Sequence, residues 1–206
     1  MAIYREKKMS HYFINDPNLE SHERVIKFNV NSLELQLISD SGVFSNKAID
    51  TGTLIFIKYL STINLEGKIL DLGCGYGPIG ITLKLLFKNK VSVDFIDINP
   101  KCIELTSRNL KYYDLDGKCS TSDGYLNDGE KYNYILFNPP ISIGKERIFK
   151  IYSDTVEKLV VNGRFYLVIR KDKGALSHLK YLSSLFEASV IYKEKGYFII
   201  ECINKE

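Results

Sequence analysis

Asn138-Pro139-Pro140 follows directly on an apolar run from Tyr132 to Phe137. Two consecutive prolines remove two backbone donors and leave carbonyls facing outward from a stiff turn. The side chain of Asn138 adds a further carbonyl beside them. Such a group offers acceptors to an exocyclic NH2. Two acceptors align the amine and stabilise the positive charge that develops as its nitrogen attacks a carbon centre. No strong base is needed before that attack. Asn-Pro also makes ordinary turns, so the meaning of this stretch depends on what the rest of the chain places beside it.

A second group of residues lies in Asp71-Leu-Gly-Cys-Gly-Tyr-Gly77. Ile69, Leu70 and Leu72 read as a short buried strand. Gly73, Gly75 and Gly77 permit positive φ and close backbone approach to a ligand. Pro78 suits the first turn of a helix, and Ile79, Leu83 and Leu86 continue at helical spacing. A helix N-terminus with free N–H groups therefore sits over a strand end, a place where ligands bind. Gly75 to Gly80 also spells G-x-G-x-x-G, which alone is a weak dinucleotide signal. Asp71 would repel a pyrophosphate and welcome a cationic amine. Asp97 closes the next strand, from Val91. An acid there either accepts bonds from two ribose hydroxyls or faces water. Asp123, in Ser122-Asp123-Gly124 after a short strand from Lys118 to Thr121, either holds an adenine amino group or belongs to a surface turn.

The elements that must position these residues are legible in outline. Residues 1–24 are polar and without period and are expected to be extended or poorly ordered. Met9 offers an alternative start, which would make residues 1–8 dispensable. Val25–Val30 and Leu33–Ile38, around Asn31-Ser32, predict a hairpin. Ser41–Thr53 then reads as a loop, or as a strap over a bound ligand, with Asp50 capping a helix from Leu54 to Leu60. Strand and helix alternate after the glycine turn. A helix follows Asn99-Pro100 to about Tyr113, and a charged one runs from Lys145 to about Val161. Gly163–Ile169 is the fifth strand, Arg170–Gly174 its loop and Leu176–Leu185 a helix. Ala188–Tyr192, a Lys193–Gly196 turn and Tyr197–Ile203 form a closing antiparallel hairpin. The class is α/β, with 1–40 as an N-terminal extension and hairpin, and 41–206 as the main domain.

Composition bounds the rest. The 206 residues are 45% hydrophobic and 26% charged, ordinary for one soluble domain. The net charge of +3 does not by itself imply nucleic acid. Cysteines 74, 102, 119 and 202 are scattered, with no C-x-x-C pair, and the three histidines form no ligand motif. Neither a metal site nor a disulfide framework is expected, which suits a reducing cytoplasm. Nothing resembles a membrane span or a signal peptide.

Asp71-Leu-Gly-Cys-Gly-Tyr-Gly77 resembles the first motif of class I methyltransferases that use S-adenosylmethionine, a ligand with an ammonium and a sulfonium and no phosphate. From His11 onward the chain is similar to the small-domain methyltransferase family, and to the catalytic half of bacterial small-subunit ribosomal RNA guanine-N2 methyltransferases. The matching stretches are Gly42–Ser45, Asp50–Thr53, Asp71–Gly80, Asp97, Asn138–Ile141, Gly144-Lys145 and Gly174-Ala175. The resemblance implies a Rossmann-like seven-stranded sheet in the order 3-2-1-4-5-7-6, with strand 7 antiparallel. It implies that Phe44, Ser45 and Thr53 border the cofactor, with Asp71, Gly73, Gly75 and Gly77 along its methionine part. Asp97 with Ile98 then holds the ribose, Asp123 the adenine end, and Asn138 with Pro139 and Pro140 the target amine. Substrate contacts are expected from Ile141, Lys145, Arg170 and Lys171. The family often has Arg where Ser142 stands, and Lys-Lys-Gln-Gly-Ala where this chain has Lys171-Asp-Lys-Gly-Ala175. Ile141 replaces the Tyr or Phe usual in enzymes acting on adenine N6 or glutamine.

Methyl transfer to guanine N2 of ribosomal RNA, on free RNA or the small subunit, is therefore the leading expectation, by a monomer or homodimer. Transfer to adenine N6 or a protein glutamine is a close alternative. An NAD(P) oxidoreductase would need a substrate domain and a hydride-side acid or base, and neither is evident. An RNA-binding assembly factor with a vestigial pocket would not need the intact glycines, Asp97 and Asn138. Lys145 with Arg147, Arg170-Lys171 with Lys173, and Lys193 with Lys195 are either RNA contacts or solvated charges.

Overall fold

A computed structural model describes residues 21–43, 45 and 47–205. The expectations for residues 1–20, including Met9 as a start, and for Phe44 lie outside them.

The chain opens with a hairpin of β1 (Arg24–Val30) and β2 (Leu33–Ser39). Its two-residue turn is Asn31-Ser32, with Asn31 at φ +54°. Alternation buries Ile26, Phe28, Val30, Leu35 and Leu37 on one face. Then follow α1 (Thr51–Leu60), β3 (Gly67–Leu72), α2 (Pro78–Phe87), β4 (Val91–Asp97), α3 (Pro100–Tyr112), β5 (Lys118–Thr121) and β6 (Tyr132–Phe137). The second half is α4 (Lys145–Lys158), β7 (Leu159–Arg170), α5 (Ala175–Leu182), β8 (Glu187–Glu194) and β9 (Tyr197–Ile203). Strands β3 to β9 make one sheet in the order β5-β4-β3-β6-β7-β9-β8. Strand β9 is antiparallel to both β7 and β8, and the remaining pairs are parallel. This is the expected order.

Alternate residues of each central strand face opposite layers. Ile69, Val93, Phe95, Leu136, Val168 and Ile199 pack with α1, α2, α3 and the hairpin. Leu70, Ile96, Ile135, Phe165, Leu167 and Ile200 pack with α4 and α5. Helix α2 lies close on the sheet because position 80 is glycine: a Cβ there would sit 2.3 Å from the Phe95 ring. The free edge of β2 is bonded to α3. Asn109 accepts from Ile38 N at 2.8 Å, and Tyr113 Oη accepts from Gln36 N at 2.8 Å. Those bonds satisfy backbone groups of β2 and fix the hairpin over the first layer.

Several boundaries differ from the sequence expectation, among them α1, which begins at Thr51 directly after its Asp50 cap and not at Leu54. Helix α4 stops at Lys158 instead of near Val161, and β7 begins at Leu159 instead of Gly163. Leu159 is fully buried and pairs with Tyr132, after which the register shifts. Asn162 at φ +61° and the Asn162 N to Asn204 O bond of 2.7 Å make the irregularity. Helix α5 ends at Leu182, not Leu185. Strand β8 runs on to Glu194, so that only Lys195-Gly196 remains as a turn before β9, both residues at positive φ. Such a pair matches the twist of the flanking strands, so Lys193 and Glu194 stay in the ladder.

Candidate active site

The parallel strands end side by side, and each end carries a functional group: the glycine turn after β3, Asp97 on β4 and Asn138 after β6. Two adjoining cavities open there, sharing Gly73, Asn138 and Pro140. The first is lined by Asp97, Ile98, Asp123, Phe137, Ile143 and Arg147 among others. The second is lined by Ser45, Asp50, Thr53, Gly75, Tyr76 and Pro139 among others. Gly73, Gly75, Asp97, Ile98, Asp123, Asn138, Pro139, Pro140, Ser45 and Thr53 are thus brought together, as expected. Ser45 comes from the 41–50 segment, which Asn99 holds by donating from Nδ2 to the Gly42 carbonyl at 3.4 Å.

Asp97 is only 2% exposed. Its Oδ2 accepts from Gly75 N at 2.9 Å, and its Oδ1 from Asn99 N at 2.9 Å. Burial pushes its carboxyl up, while the donors at Asn99 and Gly75 pull it back. Each carboxylate oxygen can accept more than one bond, so acceptor capacity remains toward the cavity. Gly75 itself is at φ +59°, and a Cβ there would enter open space. Glycine thus leaves the cradle beside Asp97 unfilled.

Asn138 is held from the opposite side. Its Nδ2 donates to Thr53 Oγ1 at 2.8 Å and to Asp50 Oδ2 at 3.3 Å. Asp50 also caps α1, accepting from Thr53 N at 2.8 Å. An ionised carboxylate only accepts, so the Asn138 NH2 must face it and the amide carbonyl must face away.

Asp71, Gly77 and Ile141 sit elsewhere than expected. Asp71 is fully buried and does not line either cavity. Its Oδ2 accepts from Gly80 N at 2.8 Å, so the N-terminus of α2 claims the carboxylate from behind the turn. Gly77 starts α2 at φ +88°, packed against Ile81 and Thr106. Ile141 packs on the α4–α5 layer, and Ile143 reaches the cavity in its place. Lys145, Arg170 and Lys171 stand outside the two cavities. Arg147, grouped in the sequence with substrate contacts, pairs with Asp123 at the first cavity. Asp50, read as a helix cap and as the start of a matching stretch but given no contact of its own, and Tyr76 were not expected at the site. The Asp50–Thr53 stretch was the available signal, since it begins on an acid and ends on a site residue.

Burial raises the Asp71 carboxyl from 3.8 to about 7. Among the described residues its Oδ1 has no hydrogen-bond partner. The folded state then binds a proton that the unfolded state has lost between these two values. Stability therefore falls as pH rises through that window, by on the order of 4 kcal/mol when complete. Asp71→Asn removes the buried charge and keeps an acceptor for Gly80 N. Urea melts of the two proteins should show the variant gaining on the wild type from pH 5 to pH 8. A difference that stays constant with pH would contradict this.

The model of the methyltransferase small domain family matches residues 34–201. The chain belongs to this family. It is 37% identical to the uncharacterized protein YbxB of Bacillus subtilis, over 93% of this chain and 96% of that protein. It is 30% identical to ribosomal RNA small subunit methyltransferase C of Psychromonas ingrahamii, over 98% of this chain but 59% of that protein. The 16S rRNA N2 G1207 methyltransferase (RsmC) of T. thermophilus, solved with AdoMet and guanosine, superposes with a TM-score of 0.78 at 21% identity. That match covers 92% of this chain and 52% of the other, and it is a likeness of fold. This small methyltransferase domain thus spans a little over half the length of its RsmC relatives. Among the described residues no helix is long and apolar enough to cross a membrane.

Proposed function

We propose that this protein transfers a methyl group from S-adenosylmethionine to an exocyclic amine, and that the amine is guanine N2 of small-subunit ribosomal RNA. The observation that carries the reading is the Asn138 carbonyl, turned by Asp50 and Thr53, at the junction of two cavities that share Gly73 and Pro140.

The residues fit S-adenosylmethionine better than a dinucleotide. Asp50 and Asp97 line the cleft and would repel a pyrophosphate, while Asp123 is offset by Arg147. A diol suits the Asp97 carboxylate, an amino group suits Asp123, and a cation suits the negative surroundings. Gly73 and Gly75 leave room for the methionine part, bordered by Ser45 and Thr53. When bound, the cofactor supplies an electrophilic methyl group on a positive sulfur. Asn138 and the Pro139 carbonyl hold the amine in line with it and stabilise charge on its nitrogen. Asp71 acts through the turn, by fixing Gly80 N.

The relatives named as ribosomal RNA methyltransferases and the bacterial company of the family support RNA as substrate and the cytoplasm as location. We assign methyl transfer to residues 41–206, with the hairpin as cover, in a monomer or homodimer. RNA is expected on a rim where basic groups meet. Lys171 N donates to Gly196 O at 2.8 Å, which joins the β7–α5 loop to the last hairpin. Lys145 Nζ donates to Ser177 Oγ at 2.5 Å, which ties the start of α4 to the first turn of α5, beside that loop. Arg170 sits 5.8 Å over the Tyr197 ring but is already paired with Asp172 at 2.9 Å.

Phosphate contacts make affinity fall with salt, by about 0.7 in log–log slope per contact on single strands. Because Asp172 already offsets Arg170, the charge reversal of Lys171 and Lys173 should flatten the slope more than reversal of Arg170 alone. An unchanged slope would move the RNA away from this rim. The reaction itself is tested by incubating protein, S-adenosylmethionine and unmethylated small-subunit RNA. N2-methylguanosine in the digest supports the reading, and no methylated nucleoside overturns it.

A further inference from the structure

Asp50 carries three bonds, from Thr53 N at 2.8 Å, Thr53 Oγ1 at 3.2 Å and Asn138 Nδ2 at 3.3 Å. All three end on Oδ2, and Oδ1 takes none of them. The same residue lines the second cavity beside Asn138 and Pro139. We propose that Asp50 selects the base: it accepts the ring N–H next to the amine that Asn138 holds, so the site takes guanine and refuses bases with a ring lone pair there. The proposal rests on the amine-transfer reading above and adds the residue that sets its specificity.

The exocyclic amine of a nucleobase has a ring nitrogen as neighbour on the same edge. In guanine that nitrogen carries a hydrogen. In adenine and cytosine it carries a lone pair. Two acceptors side by side, the Asn138 carbonyl and the Asp50 carboxylate, match two adjacent donors. Against adenine or cytosine the carboxylate would lose its partner and face a lone pair inside a cavity. Buried polar groups left unpaired or opposed in this way are what make a site reject an analogue.

The two acceptors are also held in register. The Asp50 carboxylate forces the Asn138 NH2 toward itself, which fixes the direction of the Asn138 carbonyl. Thr53 Oγ1 accepts from Asn138 and donates to Asp50, and so locks the pair. The backbone at Asp50 cannot drift, because the start of α1 is tightly packed. A Cβ on Gly52 would lie 2.6 Å from the Tyr197 ring.

The test needs a substrate that keeps the amine and lacks the ring hydrogen, and 2-aminopurine does so, losing the 6-oxo group with it. Nucleoside mapping of small-subunit RNA treated with the protein first locates the methylated nucleotide. An RNA fragment spanning it is then made with guanine or 2-aminopurine at that position, and kcat/KM is measured for each. The wild type should prefer guanine by roughly 10²-fold, the worth of one hydrogen bond to a charged group with the opposing lone pair added. Asp50→Asn should bring the two within about tenfold, losing guanine and gaining 2-aminopurine. Asparagine still caps α1, and with its oxygen on Thr53 N its NH2 falls where Oδ1 stood. Calorimetry of S-adenosylmethionine binding, run alongside, reports any loss of cofactor affinity, which acts equally on both bases and so leaves the preference ratio as the readout. Equal wild-type rates on both bases, or a loss in Asp50→Asn that is the same on both, would overturn the role of Asp50 while leaving amine transfer intact. If mapping finds no methylated amine at all, the functional reading fails and this proposal with it.

Discussion

Asn138→Ala should bind S-adenosylmethionine with wild-type affinity and lose about 10²–10³ of its turnover. The separation follows from where the side chain stands. In the proposed function the glycine turn and Asp97 hold the cofactor from the β3–β4 side, and neither bonds to Asn138. The Asn138 amide bonds instead to Thr53 and Asp50, which fix its carbonyl. On the proposed reading that carbonyl accepts from the amine, and the bond strengthens as the nitrogen becomes positive. The loss therefore falls on the transition state and appears in kcat. Orientation of the amine adds to it, since in-line geometry supplies much of the rate. Asn138→Asp keeps an acceptor but places a second carboxylate against Asp50, so it should retain only partial activity. Calorimetry for the cofactor and single-turnover rates on the RNA substrate check both variants. An Asn138→Ala rate within a few-fold of wild type would contradict the amine site.

Asp97→Ala should show the reverse pattern, with the dissociation constant for S-adenosylmethionine raised by 100-fold or more. Each bond to a charged acceptor is worth about 1.5–3 kcal/mol, and two hydroxyls would lose theirs. The same carboxylate receives Gly75 N and Asn99 N, so its removal also loosens the turn that cradles the cofactor. Asp97→Asn keeps one acceptor and should fall between wild type and Asp97→Ala. Far-UV circular dichroism and a urea melt separate loss of ligand from loss of fold. Wild-type affinity in a folded Asp97→Ala protein would remove the ribose role from this residue.

Most of the sheet was legible because its strands alternate or run apolar between plain breakers. Strands β4, β5, β6 and β9 begin and end where periodicity placed them. The start of β7 was hidden because α4 passes into it with no glycine or proline at Leu159. The bulge that divides them depends on Asn204, whose amide reaches the carbonyls of Val156 and Leu159 from 48 and 45 residues away. The charges of Lys193 and Glu194 read as turn, although a two-residue turn at Lys195-Gly196 suffices to close the hairpin. At the site, strand-end positions could be read from the sequence and side-chain directions could not. Asp71 is near enough to the glycine turn to suggest a ligand contact, yet the N–H of Gly80 takes its carboxylate inward. The Asp50–Asn138 pair spans 88 residues and exists only because the start of α1 packs on β7 and β9, next to the end of β6 in the sheet. Arg147 was readable as a basic group near the site. Its pairing with Asp123 depends on how the first turn of α4 meets the segment after β5.

Methyl transfer to guanine N2 of ribosomal RNA is tested most directly in cells. Small-subunit RNA from a strain lacking this protein can be digested and its nucleosides quantified by mass spectrometry. The account predicts the loss of one N2-methylguanosine per subunit, restored by the wild-type gene and not by an Asn138→Ala copy. An unchanged nucleoside complement in the deletion strain would contradict it.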